Sequence, residues 1–220
     1  MIEQLLPACV AWAETHDTGD AEGLLYPEEE ALVERAVDRR RHEFAAVRGC
    51  ARQAMATLGL PPAPVLRGHR GMPLWPEGTV GSMTHCDGYR AAVLARATDV
   101  RSVGIDAEPD EALPPDIWES VSLPSERRRP APGANGPSPH WDRLLFSAKE
   151  SVFKAWFPLT RIELDFLEAD ISFHRRATAE CRGTFTARLL RTAPGMPQVF
   201  EGEWLAEKGF VLTAVVLPPV

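Results

Sequence analysis

The chain contains 220 residues, of which 45% are hydrophobic and 25% charged, both ordinary values for a globular protein. This length suits one large domain or two small ones with a sizeable core. The formal net charge of -7 argues against a general nucleic-acid-binding protein, and no apolar run is long enough to cross a bilayer. We therefore expect a soluble globular protein with neither nucleic acid nor membrane as a partner.

The cysteines and the N-terminal residues bear on cellular location. The four cysteines show neither CxxC spacing nor a dense framework, which favours reduced thiols in a cytoplasmic protein. The first residues, MIEQLLPACVAWA, imitate a signal peptide in their short apolar run. They carry Glu3 instead of a basic region and are interrupted by Pro7, so we expect them to belong to the folded protein.

The first half predicts helices followed by strands. Residues 26–60 have the pattern of two helices, or of one long broken helix, ended by Gly59 and the LPPAP sequence after it. Residues 64–78 alternate strand-like pieces with Gly and Pro turns, which predicts a hairpin. Strand candidates separated by polar breaks follow at 79–85, 88–96 and 100–108.

The second half repeats that order. A helix with a stop is predicted at 114–128, and the Pro- and Gly-rich residues 128–140 predict a mobile loop. Residues 141–157 have the strongest helical pattern in the chain, because apolar side chains recur there at i, i+3, i+4 and i+7. Strand candidates complete the chain at 169–173, 183–190, 198–205 and 210–217.

Helices followed by strands, twice over, predict an α+β fold. We expect a pseudo-twofold pair of similar α/β halves, each with helices packed on a mostly antiparallel sheet. The predicted halves comprise residues 1–110 and 111–220, and no residue-level repeat relates them.

The stretch VRSVGIDAEPDEALPPD places two carboxylates, Asp106 and Glu108, one residue apart at the end of an apolar strand. Because side chains alternate faces along a strand, the two acids share a face about 7 Å apart, where they repel one another. A cation between them would offset this repulsion, and Mg²⁺ takes only one or two carboxylates together with water and phosphate oxygens. Taken alone, however, the pair favours a solvated turn, because Pro109, Asp110 and Glu111 follow immediately.

The segment FSAKESVFKAW, at 146–156, places Glu150 opposite the apolar stripe of its helix, with Lys154 beside it and Lys149 on the flank. Glu150 and Lys154 have the i, i+4 spacing of an ordinary ion pair on a solvated helix face. A Glu flanked by two lysines also suits a site where one acid and two cations meet a metal-bound diphosphate. There the acid acts as a ligand or a base.

The segment GSMTHCDGYR places Ser82, Thr84 and His85 between a strand and a turn, next to glycines. Backbone and small side chains can approach a phosphate in such a segment, while a structural hydrogen bond is the alternative role for the histidine. A hydrolase triad built on Ser82 is disfavoured because the sequence has no G-x-S-x-G elbow.

Taken in order, GSMTHCDGYRAAVLA, VGIDAE and FSAKESVFKAW resemble the signature of the 4'-phosphopantetheinyl transferases. The similarity is to the larger, two-lobed Sfp-like class, and within it to the actinobacterial enzymes that serve polyketide and lipid synthesis. It covers about Arg40 to Trp156 and extends weakly to the C-terminal strands. The combination of VGIDAE and KESVFK is specific, whereas either half alone is not. Phe146 departs from the family pattern, since many members have Trp there, and we expect this to alter packing rather than chemistry.

The resemblance implies a reaction and a set of site residues. The enzyme would transfer the 4'-phosphopantetheine group of coenzyme A to a serine of an apo acyl or peptidyl carrier protein and release 3',5'-ADP. Mg²⁺, or alternatively Mn²⁺, would be bound by Asp106, Glu108 and Glu150. Glu150 would also take the serine proton, directly or through water, and Lys154 would support the acidic cluster or the phosphates.

The resemblance also assigns residues to coenzyme A. The 3'-phosphate would contact Arg40, Arg48 and His85, with Arg67 nearby. The diphosphate would contact Lys149, and Ser82 and Thr84 would help to orient it. Because Arg40 and Arg48 lie about two helical turns apart, they can share a face toward one phosphorylated ligand.

Two alternatives remain at this point. One is a coenzyme A-binding module without transferase activity, in which the acids and lysines form structural ion pairs. The other is a metal-dependent diphosphate hydrolase that uses water in place of the serine. For the transferase we expect a monomer, because its second half would supply the face that a single-lobed relative obtains by self-association.

Overall fold

The computed structural model describes residues 1–16, 25–129, 139–175 and 181–219. The predicted loop at 128–140 therefore lies almost entirely outside the described residues. The strands are, in chain order, β1 (Ala11–Thr15), β2 (Leu66–Arg67), β3 (Pro73–Leu74), β4 (Thr79–Cys86), β5 (Tyr89–Arg96), β6 (Ser102–Pro109), β7 (Ala169–Arg175), β8 (Arg182–Leu189), β9 (Val199–Glu207) and β10 (Phe210–Leu217). The α-helices are α1 (Pro27–Glu30), α2 (Asp38–Thr57), α3 (Pro115–Val121), α4 (Pro124–Arg128) and α5 (Trp141–Thr160).

Two larger antiparallel sheets organise these elements. The first has the strand order β1-β5-β4, and the second has the order β6-β10-β9-β8-β7. A separate pair, β2 and β3, forms the hairpin expected at 64–78. The α+β fold with antiparallel sheets is thus confirmed, although the two sheets differ in size, with three and five strands.

Helix α2 covers one face of the first sheet. Its small and apolar side chains Ala51, Ala54 and Met55 are fully buried against Ala92 and Leu94 of β5. Strand β5 is buried along both faces because the other face packs into a second cluster of apolar side chains. Residues 26–60, predicted to form two helices or one broken helix, contain α1, then a short 3-10 turn, and then the long helix α2.

Helix α5 covers the second sheet in the same way. The predicted apolar stripe is buried, and Trp156 packs against Phe200 with ring centroids 6.4 Å apart. Trp141, at the start of the helix, meets Trp204 of β9 edge to face. The helical pattern read from residues 141–157 is therefore confirmed, and burial of this stripe fixes the rotation of α5 about its axis.

Gly104 allows the backbone of α5 to approach strand β6. A Cβ atom at this position would lie 2.0 Å from the carbonyl oxygen of Ser151 and 2.6 Å from the amide nitrogen of Ala155. No larger residue fits without moving the helix. Ser102 adds a hydrogen bond by donating its hydroxyl to the carbonyl oxygen of Ala155, at 2.7 Å. The strand face that carries Asp106 therefore faces helix α5.

The two sheets meet where strand β4 runs beside strand β6. Side-chain hydroxyls bridge this junction, because Ser82 Oγ accepts a hydrogen bond from the amide of Ile105 and Thr84 Oγ1 accepts one from the amide of Ala107, each at 3.1 Å. Strand β6 is hydrogen-bonded to β10. It therefore belongs to the second sheet although it precedes the boundary predicted between the two halves near residue 110. That boundary remains a prediction.

Two further outcomes concern single elements. Strand β1 was not expected from the sequence, and it pairs with β5 from Ala11 opposite Leu94 to Thr15 opposite Arg90. Within the described part of the chain, no helix is both long and apolar enough to cross a membrane.

Candidate active site

One cleft lies between helix α2, the β2–β3 hairpin, strand β4 and helix α5, and has a volume of about 250 Å³. Most of the residues predicted from the sequence line it, namely Arg40, Arg48, Arg67, Ser82, His85, Glu150 and Lys154. Apolar side chains such as Phe44, Met72 and Phe153 complete the lining. The cleft thus combines cationic groups, the two carboxylates of Glu43 and Glu150, and an apolar wall.

Two arginines meet one aromatic ring at the α2 side of the cleft. The guanidinium carbons of Arg48 and Arg67 lie 3.1 Å and 5.1 Å from the centre of the Phe44 ring. Arg48 is buried, and its nearest acid is Glu29, 3.9 Å away. Burial, only partly offset by Glu29, lowers the pKa of Arg48 to about 9. An anion in the cleft would therefore stabilise the charged form of Arg48.

His85 and Arg40 form a second polar pair in the lining of the cleft. Arg40 donates a hydrogen bond to Nε2 of His85, which fixes that nitrogen as an acceptor. Glu43 lies 3.6 Å from Arg40. Desolvation, and then the Arg40 cation, lower the pKa of His85 to about 4, so the imidazole is neutral at pH 7.

Asp106 and Lys154 form a charged pair where strand β6 meets helix α5. Oδ1 of Asp106 accepts hydrogen bonds from Lys154 Nζ at 2.7 Å and from Thr84 Oγ1 at 3.2 Å. Burial would lower the pKa of Lys154, but Asp106 and Glu150 outweigh this effect and raise it. Burial raises the pKa of Glu150, and Lys154 opposes that shift. Lys154 therefore stays charged between two carboxylates.

Glu108 is held by a residue that the sequence reasoning did not single out. Arg143 donates to Oε2 of Glu108 at 2.9 Å and to the carbonyl oxygen of Glu111 at 3.0 Å. Burial and the neighbouring Asp106 raise the pKa of Glu108, while Arg143 lowers it. Arg143 lies seven residues before Glu150 on α5, and this spacing on one helix face is the signal that could have identified it.

A divalent cation fits part of this acidic cluster. Among the described residues no group of three or more Asp, Glu, His or Cys side chains is arranged to hold a metal ion, so the predicted trio of Asp106, Glu108 and Glu150 is not assembled. Asp106 Oδ2, however, is buried without a hydrogen-bond partner, as expected of an oxygen that binds a cation. Oxygen ligands from one or two carboxylates suffice for Mg²⁺ when phosphate oxygens complete the set.

Lys149 lies apart from the cleft, in contrast to the expectation that it contacts the diphosphate. Its Nζ donates to Glu126 Oε2 at 2.7 Å and to the carbonyl oxygen of Phe166 at 2.8 Å, and both charged side chains are buried. Glu126 also accepts the amide hydrogens of Leu123 and Ile171, each at 2.7 Å. The Lys149 ammonium therefore forms a buried ion pair with Glu126, and this pair joins α5 to α4 and β7.

Comparison with known proteins identifies the family of this chain. Residues 28–95 match the family model for the 4'-phosphopantetheinyl transferase N-terminal domain, and residues 102–213 match that for the 4'-phosphopantetheinyl transferase superfamily. The chain belongs to the 4'-phosphopantetheinyl transferase superfamily. As such a transferase it moves phosphopantetheine from coenzyme A to carrier proteins, and the resemblance found in the sequence is confirmed.

Curated relatives match the transferase over nearly its whole length. It is 54% identical to the 4'-phosphopantetheinyl transferase Svp of Streptomyces mobaraensis, over 99% of this chain and 89% of the relative. It is 48% identical to the 4'-phosphopantetheinyl transferase PptT of Mycobacterium tuberculosis, over 99% and 98%. For the 4'-phosphopantetheinyl transferase Npt of Nocardia iowensis the identity is 46%, over 98% and 99%.

Proposed function

We propose that this transferase catalyses Mg²⁺-dependent attack of a carrier-protein serine on coenzyme A and releases 3',5'-ADP. The observation that carries the proposal is a single cleft lined by basic side chains from α2 and β2, here called the basic end, and by Glu150 and Lys154 of α5, here called the acidic end, where Lys154 bonds to Asp106. The basic end suits an anionic nucleotide, and the acidic end suits a diphosphate bound together with a hard cation.

The basic end would hold the 3'-phosphate of coenzyme A. Arg40 and Arg48 project from one helix, α2, and His85 meets Arg40 from strand β4. The low pKa of Arg48 supports this role, because a bound phosphate supplies the negative charge that Glu29 provides only at 3.9 Å. Arg67, whose guanidinium carbon lies 5.1 Å from the centre of the Phe44 ring, adds a further guanidinium for the same anion.

The acidic end would carry the chemistry. The serine oxygen forms a bond to the phosphorus that carries the pantetheine arm, and the bond from that phosphorus to the bridging diphosphate oxygen breaks. The electron pair leaves with 3',5'-ADP. Glu150 takes the serine proton, and its position in the cleft and raised pKa suit a general base.

Charge on the diphosphate is the second requirement of this reaction. Lys154, which lines the cleft, would offset negative charge on the leaving oxygens. Mg²⁺ would be held by Asp106 and Glu150, with Glu108 as a further oxygen donor, and supplies positive charge to the diphosphate when bound. Ser82 also lines the cleft, whereas Lys149, which pairs with Glu126, would affect the site only through the position of α5.

The test is the intact mass of an apo carrier domain after incubation with the protein, coenzyme A and Mg²⁺. We expect a gain of one phosphopantetheine group, lost with EDTA and with Glu150→Gln. Glu201→Gln, an exposed change on β9, is the matched control and should retain the activity. Consumption of coenzyme A without a carrier would instead indicate a diphosphate hydrolase. Binding of coenzyme A without transfer to any carrier would indicate a binding module.

We also propose that the transferase is a cytoplasmic monomer without nucleic-acid or membrane partners. The cleft draws its lining from α2 and β4 on one sheet and from α5 on the other, so one chain supplies both of its walls. The cysteine pattern and the negative net charge support the location and the choice of partners. Sedimentation equilibrium should give the mass of one chain, and a stable trimer would contradict this proposal.

A further inference from the structure

Thr84 makes two hydrogen bonds whose directions are fixed by chemistry. Its Oγ1 lies 3.1 Å from the amide nitrogen of Ala107 and 3.2 Å from Oδ1 of Asp106. The amide can only donate, so the hydroxyl accepts from it and gives its own proton to the carboxylate. Thr84 is 3% exposed and does not line the cleft. It therefore contacts the acid from strand β4 and not the space where a ligand would lie.

The carboxylate of Asp106 is held unevenly as a result. Oδ1 receives both Thr84 Oγ1 and Lys154 Nζ, whereas the buried Oδ2 has no hydrogen-bond partner. Lysine is a flexible point charge that restrains the rotation of a carboxylate weakly. The threonine hydroxyl is directional, and its own position is set by the amide of the residue that follows Asp106 on the same strand.

We infer that Thr84 is a positioning residue, which fixes the Asp106 carboxylate so that Oδ2 stays available to the divalent cation. The inference rests on the cation site of the proposed function. It replaces the expectation that Thr84 helps to orient the diphosphate. Ser82 provides an internal comparison. Its hydroxyl accepts a hydrogen bond from the amide of Ile105, two residues before Ala107, but Ile105 does not follow an acidic residue on the strand.

The experiment compares Thr84→Val, which removes the hydroxyl at constant shape, with Thr84→Ser, which keeps it. Thr213→Val is the matched control. Thr213 is fully buried on β10, pairs in register with Asp106, and gives its hydroxyl to the carbonyl oxygen of Ser147 at 2.9 Å. Three quantities are measured for each protein: Mn²⁺ affinity by electron paramagnetic resonance, coenzyme A affinity in EDTA by calorimetry, and hydrogen exchange of the Ala107 amide without metal.

Thr84→Val should weaken Mn²⁺ binding about tenfold, because groups that orient metal ligands typically affect metal affinity by that much or more. It should also speed exchange of the Ala107 amide and leave coenzyme A affinity in EDTA unchanged. Thr84→Ser should restore all three values. Thr213→Val should lower thermal stability without changing Mn²⁺ affinity.

Unchanged Mn²⁺ affinity in folded Thr84→Val would overturn the inference, and so would a loss of coenzyme A affinity in EDTA, which would instead indicate direct contact with a phosphate. If Thr84→Val does not fold, Thr84→Ala, which admits a water molecule, is judged by the same values. Failure of the wild-type protein to bind Mn²⁺ would overturn the cation site itself. The carrier modification assay reports separately on the proposed function.

Discussion

Lys154 Nζ lies 2.7 Å from Oδ1 of Asp106, which joins helix α5 to strand β6 at the edge of the cleft. The lysine side chain is 27% exposed and the aspartate 5%, so water screens this pair only in part. Both partners are residues that the sequence assigned to the site. The sequence suggested an ion pair between Lys154 and Glu150 along one helix, whereas the ion pair that Lys154 forms is with an acid from a strand.

The first prediction concerns this pair. Lys154→Met leaves the buried Asp106 carboxylate without its cation, so it should reduce the free energy of unfolding by about 2 kcal/mol and abolish carrier modification. Lys154→Arg keeps the charge and should retain most of the stability. Urea unfolding monitored by tryptophan fluorescence measures the difference. Equal stability of the Met and Arg variants would contradict the structural part of this prediction.

The second prediction concerns pH. His85 is neutral because its pKa is lowered to about 4, and a phosphate bound beside it would raise that pKa. Binding of coenzyme A should therefore take up a proton and become tighter as the pH falls from 7 toward 5. Calorimetry in buffers with different ionisation enthalpies measures the uptake. His85→Gln should bind without it, and equal uptake by both proteins would argue against this role of His85.

In the absence of ligand the lowered pKa of His85 makes the folded protein less stable as the pH falls, whereas coenzyme A binding becomes tighter. An ordinary histidine in the unfolded chain is protonated near 6.5, whereas His85 in the folded chain resists protonation down to about 4. The unfolded state thus binds more protons in this interval, and stability falls as the pH falls through it. His85→Gln should remove this part of the pH dependence.

The third prediction concerns the buried pair Lys149–Glu126. Lys149→Met leaves a buried carboxylate unpaired and should reduce the free energy of unfolding by about 3 to 5 kcal/mol. The double variant Lys149→Met/Glu126→Gln should be more stable than this single variant, because no unpaired charge remains and the amide oxygen still accepts a backbone hydrogen. If Lys149 instead binds the diphosphate, the second change should not improve either stability or coenzyme A affinity.

The fourth prediction concerns Gly104. Gly104→Ala places a methyl group 2.0 Å from the Ser151 carbonyl oxygen, which should displace α5 and reduce the free energy of unfolding by about 1 to 3 kcal/mol or more. Carrier modification should fall as well, since Glu150 and Lys154 move with the helix. Gly78→Ala is the control, because it has φ of 75° but no neighbouring atom within 4 Å. A smaller loss for Gly104→Ala than for Gly78→Ala would contradict this prediction.

Local patterns account for what the sequence predicted well. The apolar repeat of α5 and the alternation along β6 each depend on a few neighbouring residues. The helix and the shared face of Asp106 and Glu108 therefore follow from the sequence alone. Strand β1 was missed because its five residues carry too short a pattern, and only pairing with β5 makes it a strand.

The remaining features depend on distant partners. Glu126, which pairs with Lys149, lies 23 residues away in a short helix, and the Thr84 hydroxyl meets a strand 22 residues further along the chain. Contacts between residues so far apart in the sequence cannot be read from the pattern of a single helix or strand. The sequence therefore identified the residue types of the site, whereas the direction in which Lys149 and Thr84 point required the folded chain.

Hydroxyl bridges and a shared cluster of buried apolar side chains join the two sheets beside β4 and β6, and coenzyme A bound as proposed would cross that junction. Coenzyme A bound as proposed would be held by α2 at its nucleotide end and by α5 at its reacting end. The small molecule would act as a non-covalent cross-link between two bodies. The loaded protein should then melt at a higher temperature than the empty protein.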